Sequence, residues 1–150
     1  MGPMFSNVLL CYDGSSAGRA ALRQGAELAI LVGARVHVLS IISSELPDPA
    51  VLAGAAGHVC MIDREGDSRR LLDESIAWLQ SRGLTATGYL TQGHTIEQIV
   101  AHSKQLAVDL VVVGHYPRSA GGRWWAGSER QSLAERVNCA VFIAVDKGKA

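Results

Sequence analysis

Short apolar runs recur along this chain, each stopped by a glycine or a polar residue, with amphipathic stretches of about 10 to 20 residues between them. Asn7-Val8-Leu9-Leu10-Cys11-Tyr12 is the first run, halted by Asp13-Gly14-Ser15-Ser16. Val36 to Ile42 is the second, and Thr85 to Thr91 the third, weakened in its middle by Gly88. Leu110 to Val113 is the fourth, stopping at Gly114, and Ala140 to Val145 is the fifth. The intervening segments have helical periodicity. One runs from a cap at Ser15 or Ser16 through Val32 and ends at Gly33. Another covers Asp63 to Arg82, with Leu71, Leu72, Ile76 and Leu79 facing inward, and a third runs from a capping Thr95 to Gln105. Ser128 opens the last. Ser43 to Cys60, with Pro47, Pro49, Gly54 and Gly57, reads as an irregular excursion.

Strands joined by helices cross over right-handedly and lie parallel. The runs around Val111 and Val141 are continuously apolar, as strands covered on both faces are. The expected architecture is therefore α/β: a doubly wound, Rossmann-like, five-stranded parallel sheet with helices on both faces. It spans residues 4–146 of the 150, with a short tail after it. Met1-Gly2-Pro3 is consistent with an expression remnant and is left out of the fold. Such a sheet takes its ligand outside the carboxyl ends of the strands, where the strand order reverses. Three loops qualify: those after Tyr12, Ile42 and Val113.

Charge and cysteine content narrow the function. With 14 basic and 14 acidic residues the net charge is zero, so no overall field attracts nucleic acid or lipid. No run approaches the length of a membrane span. Cys11, Cys60 and Cys139 are far apart and match no metal spacing, so reduced thiols and a cytoplasmic location are expected. His37 reads as a histidine satisfied within its strand, His58 and Cys60 are too few for a metal, and His94 is a candidate for the pocket rim.

The loop after the fourth run is the richest segment: Gly114-His115-Tyr116-Pro117-Arg118-Ser119-Ala120-Gly121-Gly122-Arg123-Trp124-Trp125-Ala126-Gly127-Ser128. Gly114 and Gly127 allow backbone amides to approach a ligand. Gly127-Ser128 also sits where a helix begins, a natural anion site. Arg118 and Arg123 add positive charge, and Trp124 and Trp125 suit packing of the loop onto the domain. A flexible glycine-rich loop capped by Ser128 explains the same spacing. Likewise Asp13 suits either a ligand contact or a turn that bonds its own backbone.

These motifs resemble the universal stress protein family. Its nucleotide-binding members carry Gly, two residues, Gly, nine residues, then Gly-Ser or Gly-Thr after the fourth strand. Gly114, Gly127 and Ser128 fall at matching positions, while Pro117 stands at the second glycine. Val8 to Ser15 is similar to the opening strand with its Asp-Gly-Ser, and Val108 to Gly114 to the second half. Cys139-Ala140-Val141-Phe142-Ile143-Ala144 is similar to the closing strand, with Ala140 for its proline.

The resemblance implies an adenine-nucleotide site in which Asp13 accepts from the adenine amino group. Cys11 and Tyr12 would flank it, and Ile41 would line the base pocket. Gly114, His115, Arg118, Gly127, Ser128 and the amides of Glu129 and Arg130 would hold ribose and phosphate. Mg²⁺ would accompany a triphosphate. Proline has no N–H, so Pro117 removes one phosphate donor, which His115, Arg118 or Arg123 could replace. The Glu129 carboxylate is expected to face solvent and complement the helix dipole.

A regulatory protein that binds ATP, or ADP or AMP, is the leading expectation, paired as a homodimer through Val141–Val145. One alternative is the same fold without nucleotide, serving as a protein-interaction module. Another is a weak ATP-hydrolysing enzyme. The Ser-Gly-Gly-x-Asp-Ser loop of related ATP-cleaving folds is missing from Tyr12 to Ser16, and no nucleophile–base pair assembles from the sequence.

Overall fold

The computed structural model describes residues 4–43, 64–115 and 127–145. Among the described residues five strands alternate with four helices: β1 (Asn7–Cys11), α1 (Ser16–Val32), β2 (Arg35–Ser43), α2 (Arg64–Ser81), β3 (Ala86–Gly93), α3 (Thr95–Gln105), β4 (Leu110–Gly114), α4 (Gly127–Arg136) and β5 (Ala140–Ala144). Every strand pair is parallel, and the order across the sheet is β3-β2-β1-β4-β5. The chain winds outward from β1 to β2 and β3, then returns to the other side for β4 and β5. The switch therefore lies between β1 and β4, and the five-stranded parallel α/β architecture read from the sequence is the one observed. The excursion expected at Ser43 to Cys60 lies almost wholly outside the described residues.

Alternate residues of β1 feed two separate cores. Val8, Leu10 and Tyr12 pack with Ala20, Ala21, Leu22, Ala26 and Ala29 of α1 and with Leu72 and Leu79 of α2. On the other face, Leu9 and Cys11 pack with Ile96, Ile99 and Val100 of α3 and Leu133 of α4. All five residues of β4 are buried. Continuous apolarity in that strand thus reflects helices on both faces.

Three details differ from the expectation. Thr95 is the first residue of α3 rather than its cap; His94 holds the cap position without a side-chain capping bond. Inward packing of Thr95 turns its hydroxyl away from the free amides, and the buried Oγ1 has no hydrogen-bond partner. β3 runs unbroken through Gly88. A Cβ there would lie 3.1 Å from Leu72 Cγ, so the glycine lets α2 sit close to the strand. Finally, β5 is not covered on both faces: Phe142 and Ile143 are 36% and 40% exposed, because β5 is the sheet edge.

The amino ends of the strands are tied by a polar cluster. Asp109 accepts from Ser6 N and Oγ at 2.8 and 3.0 Å and from Asn7 N at 3.1 Å. The Asn7 side-chain amide donates to the Leu106 and Ala107 carbonyls, which turns its oxygen toward His37 Nε2 at 2.7 Å. Nε2 therefore carries the proton, and Nδ1 accepts from the Tyr89 hydroxyl at 3.1 Å. His37 is a satisfied core histidine, neutral by design of its neighbours. Burial, and then the charge of Arg35, hold its pKa below the ordinary value.

A histidine whose folded pKa is lowered supports the fold while neutral and opposes it once protonated. Its contribution is complete above the unfolded value of about 6.5 and is lost as pH falls below it. Urea unfolding at pH 7.5 and pH 5.5 should show lower stability at pH 5.5, and His37→Gln should reduce that difference. An unchanged difference in the variant would remove His37 as its source.

Candidate functional site

The strand order directs attention to the carboxyl ends of β2, β1 and β4, which are adjacent in the sheet. Cys11 aligns with Leu39, and Tyr12 N continues the ladder by donating to the Leu39 carbonyl at 3.0 Å. Across the switch, Leu10 aligns with Val112, and Gly114 aligns with Ala144 of β5. Tyr12, Asp13, Ile41, Gly114 and His115 are thus gathered along one end of the sheet. α4 starts at Gly127, on the crossover leaving that same end of β4. Arg118 lies outside the described residues, as do Pro117, Arg123, Trp124 and Trp125.

Asp13 sits over the amino end of α1. Its Oδ1 accepts from Ser15 N at 3.0 Å and from the Ser15 hydroxyl, a short turn of the carboxylate onto its own backbone. Ser15 Oγ in turn accepts from Gly18 N at 3.0 Å, capping α1. A Cβ on Gly18 would stand 2.5 Å from Asp13 Oδ1, so only glycine leaves room for this carboxylate. The positive end of the α1 dipole is therefore met by an anion of the protein itself. The helix that follows β4, on the other side of this crevice, is α4.

That helix opens with Gly127, Ser128, Glu129 and Arg130. The first four amides of a helix have no partner within it and attract negative charge. The sequence places Gly127-Ser128 at this terminus, and the backbone agrees.

The remaining residues divide by where their side chains go. Cys11 is 1% exposed and lies in the core beneath α3 and α4. Burial, and then the charge of Asp13, push its thiol far above the usual range, which disfavours the nucleophilic thiolate. Tyr12 turns its ring into the opposite core, and its carbonyl accepts from Ser40 Oγ at 2.9 Å. For both, only backbone faces the crevice. Ile41 is 7% exposed, at the end of the α3-side core. His115 follows β4 directly, its amide donating to the Ala144 carbonyl at 2.8 Å.

Gly114 has a structural duty that spacing does not reveal. A Cβ there would collide with the carbonyl oxygen and carbon of Ala17, in the first turn of α1. The close approach that demands glycine is that of a helix backbone. Ser15, Gly18 and Ser40 complete the local scaffold without having been singled out as site residues. The Asp-Gly-Ser-Ser turn hinted at Ser15, whereas nothing local marks Ser40. Among the described residues no three histidine, cysteine or acidic side chains cluster as a metal site. No helix among them is long and apolar enough to cross a membrane.

A family model described as the universal stress protein family matches residues 4–144. The chain belongs to the universal stress protein family. Solved structures share the fold at low identity. A universal stress protein family member from Burkholderia pseudomallei is 24% identical with a TM-score of 0.68, over 95% of this chain and 98% of that one. The Archaeoglobus fulgidus universal stress protein, solved in complex with dAMP, is 16% identical with a TM-score of 0.61, over 94% and 98%. An Arabidopsis thaliana family protein solved with AMP bound is 14% identical with a TM-score of 0.64, over 95% and 93%. No curated protein sequence matches.

In this universal stress protein, overpacking at Gly114 gives a direct test. Gly114→Ala should destabilise by about 1–3 kcal/mol, lowering the melting temperature by roughly 2 to 12 °C for a domain of this size. A variant that melts like the parent would contradict the packing between Ala17 and β4.

Proposed function

We propose that this universal stress protein binds an adenine nucleotide in the crevice between β1 and β4 and acts as a nucleotide-responsive regulator. The observation that carries the reading is the contrast between the two helix ends facing that crevice. Asp13 occupies the end of α1, while α4 opens with Gly127-Ser128 at the family's spacing. The dAMP and AMP complexes of the Archaeoglobus and Arabidopsis proteins support the ligand class.

In this reading Ile41 packs on the base, beside the Cys11 and Tyr12 backbone. Asp13 keeps Oδ1 in its turn, and its carboxylate accepts from the adenine amino group. Gly114, His115 and the amides of Gly127 to Arg130 hold ribose and phosphate, with Arg118 supplying charge. ATP brings Mg²⁺ with its phosphates, coordinated chiefly by phosphate oxygens and water. The burial of the Cys11 thiol supports binding over catalysis through that cysteine.

ATP with Mg²⁺ at 100 times its dissociation constant stabilises a fold by about 2.7 kcal/mol. The melting temperature should then rise by roughly 5 to 10 °C. Pro117 lacks the amide of the family's second glycine, so calorimetry should give an ATP-to-AMP affinity ratio below about 100, or 2.7 kcal/mol. An unmoved melting curve with silent calorimetry would favour the nucleotide-free interaction module.

The exposed edge adds a second element. β5 ends the sheet, and Phe142, Ile143 and Val145 are 36%, 40% and 46% exposed. An apolar strand edge invites pairing, and a second copy about a two-fold axis satisfies both edges. Light scattering should report a dimer at tens of micromolar, and a monomer for Phe142→Lys. A monomeric parent protein would overturn this pairing.

A further inference from the structure

The opposite end of the sheet carries a second concavity, of about 650 Å³, where the chain enters β1, β2 and β3. It lies between the C-terminal ends of α1 and α2. Ile30, Gly33, Arg35, Arg82, Gly83 and Thr85 are among its lining residues. This volume falls in the range of small-molecule sites.

Two glycines in left-handed turns line it. Gly33 and Gly83 have φ of 71° and 86°, and a Cβ at either position would meet nothing within 4 Å. Glycine is there for the left-handed turn that ends each helix, and the space beyond is left empty.

The charge of this concavity is one-sided. Arg35 and Arg82 both line it and are exposed, and neither has an ion-pair partner among the described residues. The Arg82 guanidinium is not free to wander: it lies over the Trp78 ring, 5.5 Å from the centroid. Among the described residues no carboxylate lines the cavity. Asp109, the acid bonded to the Ser6 and Asn7 amides beside it, is engaged by those donors. A planar guanidinium fork matches a carboxylate or a phosphate oxygen pair. The apolar Ile30 and Leu84 supply a wall for a short carbon skeleton.

From these features the geometry points to a binding site for a small organic anion, of the carboxylate or phosphate class, at the amino ends of β1 to β3. It is separate from the proposed nucleotide crevice and independent of it. The two arginines supply the positive charge for the anionic group, and Thr85 offers a hydroxyl.

The test is an NMR titration of the ¹⁵N-labelled full chain with citrate and, separately, inorganic phosphate, at constant ionic strength. The amides of Gly33, Arg35, Gly83 and Thr85 should move together along one saturable curve. Saturation by citrate alone assigns the carboxylate class, and by phosphate alone the phosphate class. Arg35→Gln and Arg82→Gln should each weaken binding by about tenfold, the loss of one charge-assisted contact. Gly83→Asp, a residue that tolerates positive φ, should place a carboxylate beside the arginines and abolish saturation while leaving distant amides in place. If the arginines serve only to offset the negative ends of α1 and α2, their substitution lowers the melting temperature and neither anion shifts these amides. That result, or unsaturable shifts spread over all exposed basic residues, would overturn the site.

Discussion

Everything at the carboxyl end of this sheet depends on how closely α1 lies against β1 and β4. The approach is close enough that side chains at three positions would obstruct it. Gly25 leaves room for Leu10, Gly114 leaves room for the Ala17 carbonyl, and Gly18 leaves room for the Asp13 carboxylate. Interiors are packed to crystal-like density, so contacts of this kind tolerate little substitution. With α1 seated, Ala17 packs into one core and Ala20, Ala21, Ala26 and Ala29 into the other, and the helix end arrives beside Asp13.

A division of labour between the helix termini follows. The sequence contains an aspartate at the end of the first strand and a Gly-Ser after the fourth, both at places where a ligand could be held. In the structure Asp13 bonds Ser15, whose hydroxyl caps the Gly18 amide at the α1 terminus. The same carboxylate that shapes the turn stands at the β1 end of the crevice. Of the two roles the sequence offers Asp13, the turn is the one the structure shows, through Oδ1.

The fold was legible because its signals are local. Gly33 terminates α1 in a left-handed turn as its position suggests, and the apolar runs at Leu110–Val113 and Val8–Cys11 are buried strands. What escaped the sequence depends on partners distant along the chain. The need for Gly114 arises from Ala17, nearly a hundred residues earlier, and that for Gly88 from Leu72 on α2. His37 reads as satisfied, yet its tautomer is dictated by Asn7, itself held by Leu106 and Ala107. Thr95 matched a cap by residue type, but His94 took the position and the hydroxyl was buried. The site was legible as a set of strand ends, while the direction of each side chain was not. Cys11 and Tyr12 neighbour the crevice in sequence and turn their side chains into opposite cores.

The central claim is that the crevice between β1 and β4 receives an adenine nucleotide with its phosphate at the amino end of α4. A crystal structure grown with AMP tests it most directly. The account expects the base beside Ile41 with its amino group on Asp13, and the phosphate against the amides of Gly127 to Arg130. A nucleotide bound elsewhere, or a crevice without nucleotide at AMP concentrations that saturate the crystal, would contradict it.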